Sequence, residues 1–144
     1  MKNFIDYVTS NHEHISKSES LDRSSLVFAF VGDALFTLFV RSYLAEISTA
    51  KAGVLHTETT KFVRAKYQKE LLDILEEKLN DEERQIVLNA RNQKTNNVAK
   101  NSNLEEYKKS TSFEALLGYL YLTHQNERLF EILEICQERI AKDL

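Results

Sequence analysis

Proline is absent from this chain of 144 residues, and glycine occurs only three times. A chain so poor in backbone breakers lacks the turns that a sandwich or barrel needs, so long helices with short connections are favoured. Val, Ile and Thr nowhere alternate cleanly between turn dipeptides, which removes the remaining strand signal. The fold class read from this is all-α. Cysteine is limited to Cys136, which excludes an internal disulfide and fits a reducing cytosol. Positive charge is not in excess: the formal net charge is −3, against the profile of a protein that coats nucleic acid non-specifically. Lys and Arg can still cluster on one face. The opening MKNFIDYVTSNHEH has no apolar core of signal-peptide length. The most apolar stretch, residues 26–40, contains Asp33 and is shorter than the ~20 residues a membrane span needs. A cytoplasmic protein without membrane attachment is expected, as one domain over residues 1–144 with residues 1–20 as a polar extension.

Helix signals punctuate the rest. Phe4, Ile5, Tyr7 and Val8 suggest a short N-terminal helix that packs on the body, and Ser20 or Asp22 suits the cap of a helix running to about Glu46. Ser48 or Thr49 opens a second helical region through residues 51–78, with Gly53 as the expected bend. Phe62, Ala65, Lys69 and Leu72 keep helical spacing there, as do Leu71, Ile74, Leu75 and Leu79. Asn80 and Asp81, followed by Glu82 and Glu83, announce a short helix carrying Ile86, Val87 and Ala90. Residues 92–109 are read as a long polar loop or arm, a length usually functional or disordered in compact domains. Ser110 or Thr111 is the expected start of the next helix and Asn126 of the last, whose apolar stripe includes Leu129, Ile132, Leu133, Ile135, Cys136 and Ile140.

Two carboxylates sit where the surrounding residues argue against them. LVFAFVGDALFTLFV is apolar on every side of a helix except at Gly32, Asp33 and Thr37, the pattern of a helix buried all round. SFEALLGYLYL repeats the situation around Glu114. An ionised acid there loses hydration unless compensated, either by Arg, Lys or a backbone donor, or by a shared Mg²⁺, which prefers oxygen ligands and keeps several waters. Gly32 beside Asp33 and Gly118 one turn after Glu114 leave room for a helix or a substrate backbone to approach the acids. No Ser-His or Cys-His arrangement accompanies them, so metal-assisted hydrolysis suits the residues better than covalent catalysis.

Basic residues gather in two places. Lys61, Arg64, Lys66 and Lys69 share one predicted helix, with His56 upstream; Arg91, Lys94, Lys100, Lys108 and Lys109 interleave with Asn89, Asn92, Asn96, Asn97, Asn101 and Asn103 in and around the polar arm. Lys and Arg suit phosphates, and Asn suits ribose hydroxyls and base edges in a shallow RNA minor groove. A solvated helix face and a plain polar loop are the competing readings for single members. His12 and His14 are read as surface residues, His124 as a helix-terminal cation, Cys136 as core, and Tyr119 and Tyr121 as packing groups.

The elements VGDALF and TSFEALLGYLYL resemble the two acid-bearing helices of ribonuclease III domains. A closer resemblance, to the Mini-ribonuclease III subfamily, rests on three stretches. They are Leu55, His56, Val63, Ala65 and Gln68; the ARN.K element with Ala90, Arg91, Asn92 and Lys94; and the run with Lys100, Asn101, Tyr107, Ser110, Thr111 and FEALLGYL. It covers roughly residues 24–135 and departs from the conventional enzyme at Ala29 and Thr111, where that enzyme carries two further acids, and at Ala90, where the subfamily has Gly.

The resemblance implies a helical endonuclease domain working as a homodimer, with the Asp33 helix near the two-fold axis, and no separate double-stranded-RNA-binding domain. It implies Asp33 and Glu114 as catalytic ligands of Mg²⁺, and 5′-phosphate and 3′-hydroxyl products. Expected RNA contacts are His56, Arg64, Lys66, Arg91, Asn92, Lys94, Lys100, Asn101 and Tyr107. It further implies double-stranded precursor of large-subunit ribosomal RNA as substrate, with a ribosomal protein as a candidate to present it. A non-catalytic ribosome-assembly factor on the same fold, and a helical dimer that binds protein, are the alternatives left open by the residues.

Overall fold

The computed structural model describes residues 8, 15–20, 22–93 and 103–144. Among these, the regular elements are helices: α1 (Lys17–Ser20), α2 (Ser25–Ile47), α3 (Ala52–Val63), α4 (Ala65–Leu75) with a 3₁₀ turn at Glu76–Lys78, α5 (Asp81–Arg91), α6 (Leu104–Leu122) and α7 (Asn126–Lys142). The predicted N-terminal helix around Phe4, Ile5 and Tyr7, and also His12 and His14, lie outside the described residues.

Caps explain most starts. The Ser24 hydroxyl accepts from the Leu26 N–H at 3.2 Å, so α2 begins after Ser24 rather than at the predicted Ser20 or Asp22. Asn80 and Glu83 form the expected capping box, with bonds of 2.8 and 3.1 Å. Asn103 caps α6 by accepting from the Glu106 N–H at 2.7 Å. Residues 104–109 are therefore helical, not part of an arm, and Ser110 and Thr111 lie inside α6 instead of starting it. The predicted bend at Gly53 falls instead at Arg64, whose extended backbone (φ −73°, ψ 158°) separates α3 from α4. Asn126 does open α7.

Helix α6 is the centre of the molecule. Ser110 through Leu120 are buried except Glu114, which is half-buried, and α2, α4, α5 and α7 all pack on it. Its near-uniform apolarity is thus satisfied within one chain. Helix α2 differs: it buries Phe28, Ala29, Gly32, Phe36, Val40 and Leu44, while Phe30 is 79% exposed and Leu38 55%. The expectation that α2 is buried all round is overturned for the single chain, and with it the burial of Asp33, which is exposed. With 23 residues α2 is also long and apolar enough to cross a membrane by length and composition, contrary to the shorter stretch expected. Its buried stripe lies against α6, as in the core helix of a globular domain.

The α2–α6 crossing is antiparallel and close. Phe28 meets Tyr119 edge-on at 5.8 Å, Phe36 meets Phe113 edge-on at 5.0 Å, and Gly32 and Gly118 lie between these aromatic pairs. A Cβ on Gly32 would overlap the Glu114 carbonyl, and one on Gly118 would overlap the Phe28 carbonyl. Backbone therefore touches backbone at two points. The last helix contributes Leu129, Ile132, Cys136 and Ile140 to the core, with Leu133 and Ile135 packed at its edge.

Because backbone cannot retreat as a flexible side chain can, Gly118→Ala is expected to lose about 1–3 kcal/mol of stability in urea melts. Gly53→Ala, with nothing within 4 Å of its added methyl, is expected to be neutral or stabilising by up to about 0.5 kcal/mol. Equal effects at the two positions would contradict the close crossing.

Candidate active site

The glycine crossing fixes where the two acids stand. Asp33 follows Gly32 on α2, and Gly32 faces the backbone of Glu114 on α6. Residues 81 positions apart thereby come together, with their carboxyl groups close enough to interact. Asp33 is exposed and Glu114 half-buried, so the pair opens to solvent from the Asp33 side.

Burial pushes the Glu114 carboxyl up to about 9, with the hydrogen bond and negative charge of Asp33 acting in the same direction and a hydrogen bond from Gln68 acting against them. Among the described residues neither acid forms an ion pair with Lys, Arg or His. The structural alternative of a buried acid neutralised by a basic partner therefore finds no support there. Two adjacent carboxyls without a countercharge suit a divalent cation. No third His, Cys, Asp or Glu joins them among the described residues, so a bound Mg²⁺ would rest on Asp33 and Glu114 and otherwise on water, within the habits of that ion.

The two positions where further acids were missed are accounted for. Ala29 is buried, and the Thr111 hydroxyl turns back to donate to the Tyr107 carbonyl at 2.9 Å. Neither supplies a ligand.

Gln68 carries no assigned role in the sequence pattern, yet the structure brings it to the site. It is 1% exposed, accepts from the Ser110 hydroxyl at 2.6 Å, and favours the charged form of Glu114. The signal was present: an amide in register with the buried Leu71, Leu72 and Leu75 of α4. The predicted stripe placed Lys69 and Ile74 inward instead, and both are only half-buried because the helix restarts after Arg64.

The expected RNA contacts divide into groups. His56 on α3, Arg64 at the kink and Lys66 in the first turn of α4 are all exposed, and the Arg64 carbonyl accepts from the Gln68 N–H at 3.1 Å. The kink thus lies one turn from Gln68. Arg64 and Lys66 form no ion pair among the described residues, whereas Lys61 pairs with Glu58 at 2.9 Å and Lys69 with Asp73 at 3.2 Å. Arg91 and Asn92 are exposed at the end of α5, where Arg91 borders the same depression as Lys109. Tyr107 is half-buried on α6. Lys94, Lys100 and Asn101 lie outside the described residues. Cys136 is fully buried and its thiol is pushed up to about 12 by desolvation, the behaviour of a core group. Tyr119 is core, Tyr121 is half-buried, and His124 follows α6 at φ 55°.

With this geometry in hand, comparisons with known proteins are specific. The Ribonuclease III domain profile matches residues 26–125. Mini-ribonuclease 3 of Thermoanaerobacter sp. (strain X514) is 42% identical over 132 residues, covering 92% of this chain and 93% of the relative. That of Enterococcus faecalis is 37% identical over 121 residues, covering 83% and 92%. A crystal structure of a Fusobacterium nucleatum protein superposes with a TM-score of 0.74 at 32% identity, covering 85% of this chain and 96% of that one.

Without a divalent cation, Glu114 binds a proton in the folded state that it lacks unfolded, between its ordinary value and about 9. Folding stability should therefore fall as pH rises through that window. Glu114→Gln, which needs no proton, should flatten the fall and exceed the wild type at pH 8 by more than about 1 kcal/mol. Denaturant melts in EDTA between pH 5 and 8.5 read this directly, and parallel curves for the two proteins would contradict it.

Proposed function

The chain belongs to the ribonuclease III family, in its Mini-ribonuclease III branch, and is an endoribonuclease; we propose that it cuts double-stranded RNA with Mg²⁺ held by Asp33 and Glu114. The observation that carries this reading is the uncompensated carboxyl pair at the α2–α6 crossing. When bound, Mg²⁺ supplies an activated water and stabilises charge growing on the phosphate. The exposed Asp33 and the half-buried Glu114 would hold the ion at the α2–α6 crossing. Arg64 and Lys66, exposed and free of ion pairs among the described residues, are the cations proposed to meet phosphates, together with the exposed His56. Arg91, Asn92, Lys94, Lys100, Asn101 and Tyr107 complete the proposed RNA surface of a single catalytic domain spanning residues 1–144. The products are 5′-phosphate and 3′-hydroxyl ends.

Cutting both strands of a duplex needs two sites, and the exposed face of α2 supports a homodimer. Leu26, Val27, Phe30 and Leu38 form an apolar surface along it, and an apolar groove of about 750 Å³ runs between α2 and α7 past Leu35, Phe39, Phe130 and Leu133. A second copy seated there would cover Phe30 and set its own Asp33 nearby. Substitution of Phe30 by Asp is expected to halve the mass seen in sedimentation. An unchanged dimer would move the interface elsewhere.

The proposed physiological substrate is the precursor of large-subunit ribosomal RNA in the cytoplasm, which makes the protein a ribosome-biogenesis factor. End-labelled duplex RNA with Mg²⁺, resolved on a gel, tests the chemistry. Cleavage should disappear with EDTA and fall at least about 100-fold in Asp33→Asn, a loss of several kcal/mol of transition-state stabilisation. A folded wild type that binds duplexes without cutting them would instead favour the non-catalytic assembly factor. Cleavage appearing only when a ribosomal protein is added would identify it as the presenting partner.

A further inference from the structure

Glutamine at position 68 makes little sense as packing. Its α4 neighbours facing the core are Tyr67, Leu71, Leu72 and Leu75, and a residue 1% exposed among them would ordinarily be apolar. A buried amide is costly unless both of its halves are bonded. Here the Ser110 hydroxyl donates to the amide oxygen at 2.6 Å, and the amide lies close enough to Glu114 to favour the charged form of its carboxyl. Ser110 and Glu114 lie four residues apart on α6, one above the other on the same face. The amide is thus anchored at Ser110, one helical turn from Glu114 on the same face of α6.

A glutamate on a helix has several rotamers, and half-burial alone does not select one. We propose that Gln68, anchored by Ser110, is the positioning residue that aims the Glu114 carboxylate at Asp33 across the α2–α6 crossing and so sets the affinity of the acid pair for a divalent cation. With Ala29 and Thr111 contributing no carboxylate, the aim of the remaining two governs how well a cation is held. Partners of this kind, one bond removed from a metal ligand, typically change affinity by about 10- to 100-fold when lost. The proposal rests on the reading of Asp33 and Glu114 as cation ligands.

The test uses Mn²⁺ as the probe, its binding to the full chain followed by electron paramagnetic resonance without RNA. Wild type, Gln68→Leu and the double variant Gln68→Leu with Ser110→Ala are compared. The double variant also removes the Ser110 hydroxyl that Gln68→Leu strands, and the half-buried Glu114 keeps access to water, so it is expected to fold even where the single variant does not. Each folded variant should melt within a few degrees of wild type and bind duplex RNA equally in EDTA, yet bind Mn²⁺ about 10- to 100-fold more weakly. The Mg²⁺ concentration for half-maximal cleavage should rise by the same factor. Wild-type Mn²⁺ affinity in the double variant overturns the proposal. A wild type that binds Mn²⁺ but leaves duplexes intact overturns the nuclease reading alone, with the effect of Gln68 still read from the Mn²⁺ titration. A wild type that binds no Mn²⁺ overturns both.

Discussion

Everything at the site depends on two helices touching backbone to backbone. Gly32 and Gly118 remove the side chains that would hold α2 and α6 apart, and each faces a carbonyl of the other helix. The edge-on aromatic pairs Phe28–Tyr119 and Phe36–Phe113 clamp the crossing on both sides and fix its register. A larger residue at either glycine would separate the helices, and with them the residues that follow Gly32 and precede Gly118. The crossing is thus both a close backbone contact in the core and the place where the acid pair is assembled.

That assembly is held against an electrostatic cost. Glu114 is half-buried beside another acid, with no basic partner among the described residues, and its carboxyl is held far above the usual range. The packing of α6 among four other helices keeps it there. A bound cation would relieve that cost and so would link binding to local stability. Gln68 takes part from a third helix, and the break at Arg64 gives α4 the register that turns Gln68 inward.

Several parts of this were legible in the residues. The capping box at Asn80 and Glu83, the start of α7 at Asn126, and the stripe of Leu129, Ile132, Cys136 and Ile140 follow from local rules that tertiary contacts do not override. The polar run before Ser110 was misread because its few apolar residues hid a helix: Asn103 supplies a cap, and Leu104, Glu105 and Glu106 form a good first turn. The break in the second helical region went to Arg64 instead of Gly53, since Gly53 lies in the open first turn of α3 where its backbone freedom is not used. Gln68 escaped notice because one amide among leucines has no meaning until its partners on another helix are known.

The sequence by itself determined the all-helical class, two acids set in apolar helices beside glycines, and the motif order that places the chain among ribonuclease III proteins. These are local properties, carried by periodicity, composition and spacing along one strand of chain. Only the tertiary structure decided which apolar helix is enclosed and which keeps an open face, since LVFAFVGDALFTLFV and SFEALLGYLYL read alike until α6 is wrapped by its own chain and α2 is not. It also decided that Asp33 is exposed, that Glu114 bears the cost of burial, and that Gln68 reaches it. Each depends on the distance between residues far apart in the chain, which close packing sets and no local pattern encodes.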